Sequence, residues 1–270
     1  MRWLGPPLRA LDGPARDYVE RGLARLRGPR RSARSSGAEP PVRALLRSAG
    51  YGVGFELGRL ALVLEGATAT FRRGRGPDRW RAVAAIPAAV LHASVSGVLI
   101  GPGKLLSALQ TRLGVEPAGR PLEPAERALL RRVFGEGLDF APLRIKSGPA
   151  GLASWSARPF VHGEVLFLGD RALEPGLLVH EAVHFWQHQT GGPGYMAGSL
   201  WSQAFGRGYD WACDVPRVPW RDLEVEQQAQ LIEDAFRAGY FDGPRDADPT
   251  LGPYLDACVA SLRAGRGAAG

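Results

Sequence analysis

Hydrophobic positions recur at helical spacing in residues 14–27, where Tyr18, Val19, Leu23 and Leu26 share one side and arginines the other. This predicts a short amphipathic helix. Residues 28–41 (GPRRSARSSGAEPP) lose the periodicity and predict a linker. From Val42 to Phe71 the chain is apolar but glycine-rich, interrupted by Glu56, Arg59 and Glu65. Residues 82–103 (AVAAIPAAVLHASVSGVLIGPG) carry no formal charge and follow a run of arginines. Their length would allow a membrane span. However, Pro87, His92, Ser94 and Ser96 are costly in hydrocarbon, and alanine adds little drive, so a buried helix or an interfacial segment is expected. Lys104–Leu113 predicts a further short helix closed by Gly114.

A boundary follows at Gly119-Arg-Pro-Leu-Glu-Pro, and the pattern changes to α+β. Pro124 suits the first turn of a helix reaching about Phe134, with Leu129, Leu130 and Val133 as its apolar stripe and Gly135 as its stop. Leu143-Arg-Ile-Lys alternates like a strand, and Phe160–Leu168 (FVHGEVLFL) predicts a second. An apolar helix then runs to Gln189 and ends at Thr190-Gly-Gly-Pro-Gly. Residues 195–220 hold Tyr195, Trp201, Tyr209, Trp211 and Trp220 and are expected to be an aromatic loop region. A further helix covers about Asp222–Ala238, and a short one Tyr254–Leu262 before a Gly/Ala end. Three regions are therefore expected: a mainly helical segment 1–118, an α+β domain 119–243 and a tail 244–270.

Composition is ordinary for a globular protein, but charge is uneven. Residues 1–81 carry 17 arginines against 7 acidic residues, a net of +10, whereas 82–270 carry 17 basic against 20 acidic residues, a net of −3. Lysine occurs only at 104 and 146, a bias in base type that does not make a nucleic-acid signature, and nucleic acid is not an expected partner. The basic arm and the apolar stretch 42–103 allow membrane association instead. Cys213 and Cys258 lack metal-ligand spacing, and the sequence leaves both free thiols and one disulfide open. No secretory signal opens the sequence, so synthesis in the cytoplasm with any export by a non-Sec route is expected.

The strongest chemical signal is LLVHEAVHFWQHQ at Leu177–Gln189, in which His180, Glu181 and His184 spell H-E-x-x-H. On a helix, His180 and His184 lie one turn apart on one face, a spacing that grips a single Zn²⁺, with Glu181 beside them as general base toward a zinc-activated water. His188 lies eight residues from His180, roughly 12 Å along a continuous helix, too far to share that ion. The third ligand is sought on the later helix among Glu224, Glu226, Glu233 and Asp234. Glu226 and Glu233 sit seven apart on nearly one face, so spacing leaves both open; Glu226 is favoured because it opens E-x-x-A, which resembles the glutamate-helix pattern of gluzincins. A tyrosine of the 195–211 region or His162 could stabilise an oxyanion, and a strand before the helix could align an extended peptide at its edge.

The segment from Pro121 to about Phe241 resembles the short HExxH metallopeptidase-like domains encoded with bacterial contractile injection systems and Rhs-type secretion loci. The resemblance rests on Glu123-Pro-Ala-Glu, Val133-Phe-Gly-Glu-Gly-Leu-Asp, Leu143-Arg-Ile, His180-Glu-Ala-Val-His-Phe-Trp-Gln and Glu226-Gln-Gln-Ala-Gln-Leu-Ile-Glu-Asp. It implies a minimal zincin-like domain of gluzincin type, zinc on His180, His184 and Glu226, and Glu181 as the catalytic carboxylate. The expected function is zinc-dependent hydrolysis of a peptide or protein substrate. The alternative is a non-catalytic, zinc-stabilised binding or cargo module of a secretion apparatus.

Overall fold

The computed structural model describes residues 11, 13–27, 41–73, 77–149, 151, 158–243 and 251–269. Three helices come first: α1 (Gly13–Arg27), α2 (Pro41–Arg73) and α3 (Pro77–Arg112). Strand β1 (Arg120–Pro121), helix α4 (Pro124–Phe134) and strands β2 (Arg144–Ser147), β3 (Phe160–His162) and β4 (Val165–Gly169) follow. The chain closes with α5 (Pro175–Gly191), α6 (Tyr195–Phe205), a 3₁₀ turn at Trp220–Asp222, α7 (Val225–Arg237) and α8 (Leu251–Arg263). The fold is α+β, with a helical N-terminal region as expected.

Helix ends follow local chemistry. Pro124 occupies the first turn of α4, Glu126 accepts from the Glu123 backbone N–H at 2.7 Å, and Gly135 closes the helix at φ +54°. At the start of α7, Gln227 accepts from the Glu224 N–H at 2.9 Å in the same way. The sheet runs in the order β1-β2-β4-β3, with β2 and β4 parallel and both outer pairings antiparallel. Leu166 pairs with Ile145 on one side and Val161 on the other, which makes β4 an interior strand.

Helix α5 is buried on every side. Val179, Ala182, Val183, Phe185 and Trp186 lie in a core with Leu130 and Phe134 of α4, Ile145 and Leu166 of the sheet, Leu231 and Ile232 of α7, and Val259 and Leu262 of α8. The Trp186 indole N–H donates to the Leu262 carbonyl at 2.9 Å. A second, smaller core joins Val19 and Leu23 of α1 to Phe55 and Val63 of α2 and to Ala82 and Ala89 of α3. The Arg16–Asp222 (2.6 Å) and Lys104–Glu164 (2.7 Å) ion pairs and the Lys146–Thr111 hydrogen bond (2.6 Å) connect this helical region to the rest.

Several expectations change. Residues 82–103 and Lys104–Leu113 form one helix through Pro87 and Pro102 instead of two. The Gly-Pro-Gly at 101–103 serves close packing: a Cβ on Gly101 would stand 3.0 Å from Val53, and one on Gly103 would stand 3.0 Å from His162. Phe160–Leu168 is a hairpin, because Gly163 turns the chain at φ +65° directly beneath Lys104. The strand entering α5 is therefore not an edge, and the edges belong to β1 and β3. Residues 195–205 are helical, with Gly198 letting α6 close on Val225. The Gly/Ala end packs back onto α7, where Gln228 takes both Gly267 and Ala269 by hydrogen bond. The predicted linker lies, apart from Pro41, outside the described residues.

Candidate metal centre

One turn of α5 separates His180 and His184, and α7 crosses that face with Glu226 inward. All three side chains are buried, and their ligand atoms lie within 4.8 Å of one another. Oε2 of Glu226 faces Nε2 of His180 at 3.4 Å and Nε2 of His184 at 3.6 Å, and it makes no conventional hydrogen bond. Donors 2.0–2.1 Å from a shared tetrahedral ion stand about 3.3–3.4 Å apart. The first separation matches that figure and the second, 3.6 Å, is slightly longer, so the group could hold a metal ion.

The outer atoms of each ligand are committed elsewhere. His180 Nδ1 meets Glu233 Oε2 at 3.0 Å, and His184 Nδ1 meets Gln187 Oε1 at 2.8 Å. A carboxylate and an amide oxygen only accept, so both imidazoles carry their hydrogen on Nδ1 and turn Nε2 inward. Glu226 Oε1 accepts from Gln203 Nε2 at 2.9 Å and from the Ser199 hydroxyl, both on α6. Residues of three helices, α5, α6 and α7, thus fix the three candidate ligands.

The charges of this site are tightly linked. Burial alone would depress the His180 imidazole, but the Glu226 and Glu233 carboxylates outweigh it and hold it up at about 10. His184 is likewise raised, its desolvation overcome chiefly by Glu226. Burial would raise Glu226, yet the two imidazoles keep it well below the usual carboxylate range. A cation entering the site would replace those protons against the same carboxylate.

Glu181 lies on α5 between the two histidines in sequence and is buried, with Oε2 making no hydrogen bond. Desolvation raises its carboxyl above the ordinary range, against the pull of His180 and His184. An acid tuned upward suits proton transfer near neutral pH. Tyr209 brings its ring to 5.8 Å from the His180 ring and its hydroxyl to 3.3 Å from Arg158. Tyr195 is unsuited to an oxyanion role, because its buried hydroxyl donates to Val161 O and accepts from Gly163 N–H. His162 is also occupied, with Nε2 at 2.8 Å from the Leu99 carbonyl.

The remaining candidates separate cleanly. His188 turns to Glu164 at 3.3 Å and stays out of the ligand group, as a continuous helix requires. Asp234 accepts from Trp211 and Gln230, and Glu224 from Ser202 and the Arg207 backbone. Glu233 touches His180 from outside the ligand triangle. Cys213 and Cys258 are both free thiols. Sequence reasoning did not single out Gln187, Ser199 or Gln203. Their only signals are helical offsets: Gln187 three residues after His184, and Ser199 and Gln203 four apart on a stretch expected to be a loop.

The type VI secretion system spike protein VgrG2b of Pseudomonas aeruginosa is similar to this chain, 30% identical over 172 residues. The match takes in 57% of this chain and 15% of that protein, so the chain corresponds to a small part of its relative's length. No family model and no solved structure matches the chain.

Proposed function

We propose that the chain is a zinc-dependent metallopeptidase. The observation that carries this is the inward convergence of His180 Nε2, His184 Nε2 and Glu226 Oε2, with Glu181 buried next to them and outside the ligand set. Two imidazoles and one carboxylate are a donor set of the kind zinc takes in catalytic sites, which keep a position open. Zinc bound there supplies Lewis acidity, polarising a scissile carbonyl and lowering the pKa of water toward neutrality. Glu181 accepts the proton of the attacking water and returns it to the leaving amine. Tyr209, beside His180, offers its hydroxyl to the developing oxyanion. Glu233 and Gln187 keep both imidazoles in the tautomer that leaves Nε2 free.

A non-catalytic role has one specific observation in its favour, the similarity to a type VI secretion spike protein. Under that reading, the chain is a zinc-stabilised cargo or binding module of a secretion apparatus, leaves the producing cell by a non-Sec route, and uses the metal to hold α5 against α7.

Elemental analysis with Glu181→Gln separates the two. About one zinc per chain is expected, lost in His180→Ala and His184→Ala and retained in Glu181→Gln. On an unfolded protein substrate, Glu181→Gln should cost about 10²-fold or more in kcat. No zinc in the wild type, even after reconstitution, would remove the metal site. Equal biological activity in wild type and Glu181→Gln would establish the cargo module and overturn the peptidase.

A further inference from the structure

Helix α3 is built inside out for a helix that faces water. Its buried positions are mostly small or polar, namely Ala82, Ala89, Ala93, Ser96, Gly101, Lys104 and Gln110, with Ile100 the one large apolar side chain turned inward among the described residues, whereas Val83, Val90, Leu91, Val98, Leu105 and Leu109 are exposed. These exposed residues recur at helical spacing as one stripe, about 39 Å long from Val83 to Leu109 at 1.5 Å per residue. No exposed charged residue interrupts it. Along α2, Val53, Leu57, Ala61 and Leu64 are exposed at the same kind of spacing, while Glu56 and Arg59 pair inside the hairpin at 3.0 Å, each 2% exposed. Close packing of small residues supports the inversion, since a Cβ at Gly52 would overlap Ile100. Small residues inside and large apolar residues outside is the pattern of helices whose solvent is lipid. Among the described residues, one helix is long and apolar enough to cross a bilayer, Arg79–Arg112, and 24% of its most apolar window is buried.

Charge selects the occupant. At the tip of the hairpin, Arg72, Arg73, Arg79 and Arg81 are exposed, with Asp78 the one acid in the sequence from 72 to 81. Trp80 stands among them, 67% exposed, its ring edge-on to Phe71 at 6.4 Å. Tryptophan and arginine together at the end of an apolar stripe match the headgroup level of a membrane, and a cluster of arginines matches an anionic one. The inner face of α3 is meanwhile held to the rest of the fold through Lys104–Glu164 and His162–Leu99. We propose that the outer face of the α2–α3 hairpin docks on an anionic lipid bilayer. The stripe lies in the acyl boundary and the arginine tip on the headgroups, with α5 and α7 carried at the surface. This docking is independent of whether the metal centre turns over substrate.

Flotation of the full chain with phosphatidylcholine vesicles, with and without phosphatidylglycerol, tests it. At least about tenfold stronger partitioning onto the anionic vesicles is expected, falling with salt. Leu91→Asp with Val98→Asp should abolish flotation while leaving the far-ultraviolet circular dichroism and zinc content unchanged, because both side chains are exposed. Replacing Arg72, Arg73, Arg79 and Arg81 with Gln should erase the preference for anionic lipid. Vesicle addition should shift tryptophan emission to the blue in the wild type, and Trp80→Phe should remove most of that shift. Failure to float with anionic vesicles overturns the proposal. So does a concentration-dependent dimer that Leu91→Asp dissociates without any vesicle binding, which would make the face a contact between copies.

Discussion

Gln187 Oε1 accepts from His184 Nδ1 at 2.8 Å, and the same side chain donates through Nε2 to Val225 O and to Gln228 Oε1, each at 3.0 Å. One fully buried amide therefore sets the tautomer of His184 and ties α5 to α7 at the depth of the candidate metal centre. Gln228 extends the chain of bonds to Trp220 O and Gly267 O at 2.8 Å, so the C-terminal residues of the fold bear on the orientation of His184.

Gln187→Leu keeps the size but removes the acceptor and both donors. Zinc affinity, measured by competition with a chromophoric chelator, should fall about 10–100-fold. Stability should drop by about 1–3 kcal/mol from the buried groups left unpaired. Gln187→Glu should retain more of the affinity, since a carboxylate still accepts from Nδ1.

Glu233 plays the matching part for His180, but from a less buried position and with Arg237 holding its other oxygen at 2.8 Å. Glu233→Ala should weaken zinc binding by about tenfold or more, and Glu233→Gln by less, because an amide oxygen can still accept. Affinity by chelator competition and melting temperature with saturating zinc should separate here. The first should fall and the second should change little, since the side chain lies at the rim of the core.

The buried His180–His184–Glu226 group, which could hold a metal ion, was legible because its chemistry is local. His180 and His184 share one helix, so four residues of spacing decide their geometry, and the burial of α5 on all sides only strengthens it. Glu226 could be named because few acids lie on the following helix and it alone opens E-x-x-A, the pattern that resembles the glutamate helix of gluzincins. The positioning residues were not legible: Ser199 and Gln203 act across helices, from α6 on Glu226, and Gln187, three residues from His184 on α5, is held in place by its bonds to Val225 and Gln228 of α7. Their importance depends on how α6 and α7 approach α5, which no spacing encodes. Gly163 and Gly101 misled for a related reason. The first is read as part of a strand and turns it, whereas the second lies near the break expected between residues 82–103 and Lys104–Leu113 and instead permits close contact with Val53 inside one helix. Glycine announces either conformational freedom or missing bulk, and only the neighbours decide which.

Tyr209 stands close enough to His180 to meet a substrate carbonyl, whereas the hydroxyl of Tyr195 is spent on the β3–β4 turn. If the chain hydrolyses peptides, Tyr209→Phe should lower kcat about 10²–10³-fold with KM and zinc content nearly unchanged. Tyr195→Phe should act differently, costing stability through the freed Gly163 N–H and Val161 O. Steady-state kinetics on one peptide, with elemental analysis of each variant, distinguishes the two outcomes.

Glu164 joins three parts of the fold: the β3–β4 turn that carries it, Lys104 of α3 at 2.7 Å and His188 of α5 at 3.3 Å. Burial would raise its carboxyl, but His188 and Lys104 outweigh that and hold it well below the usual carboxylate range. A carboxylate depressed in the folded state contributes stability that is complete above its unfolded value, about 4.3 for glutamate, and is lost as pH falls toward the folded value. The contact between α3 and the β3–β4 turn should therefore hold at neutral pH and weaken progressively below about pH 4. Glu164→Gln removes the charge at every pH. At pH 7 the variant should melt about 2–4 °C lower than wild type, with the gap closing as the wild type is acidified. Thermal melts of metal-free protein across pH 3–7 measure this, and a gap that stays constant with pH would rule out the ion pair as its source.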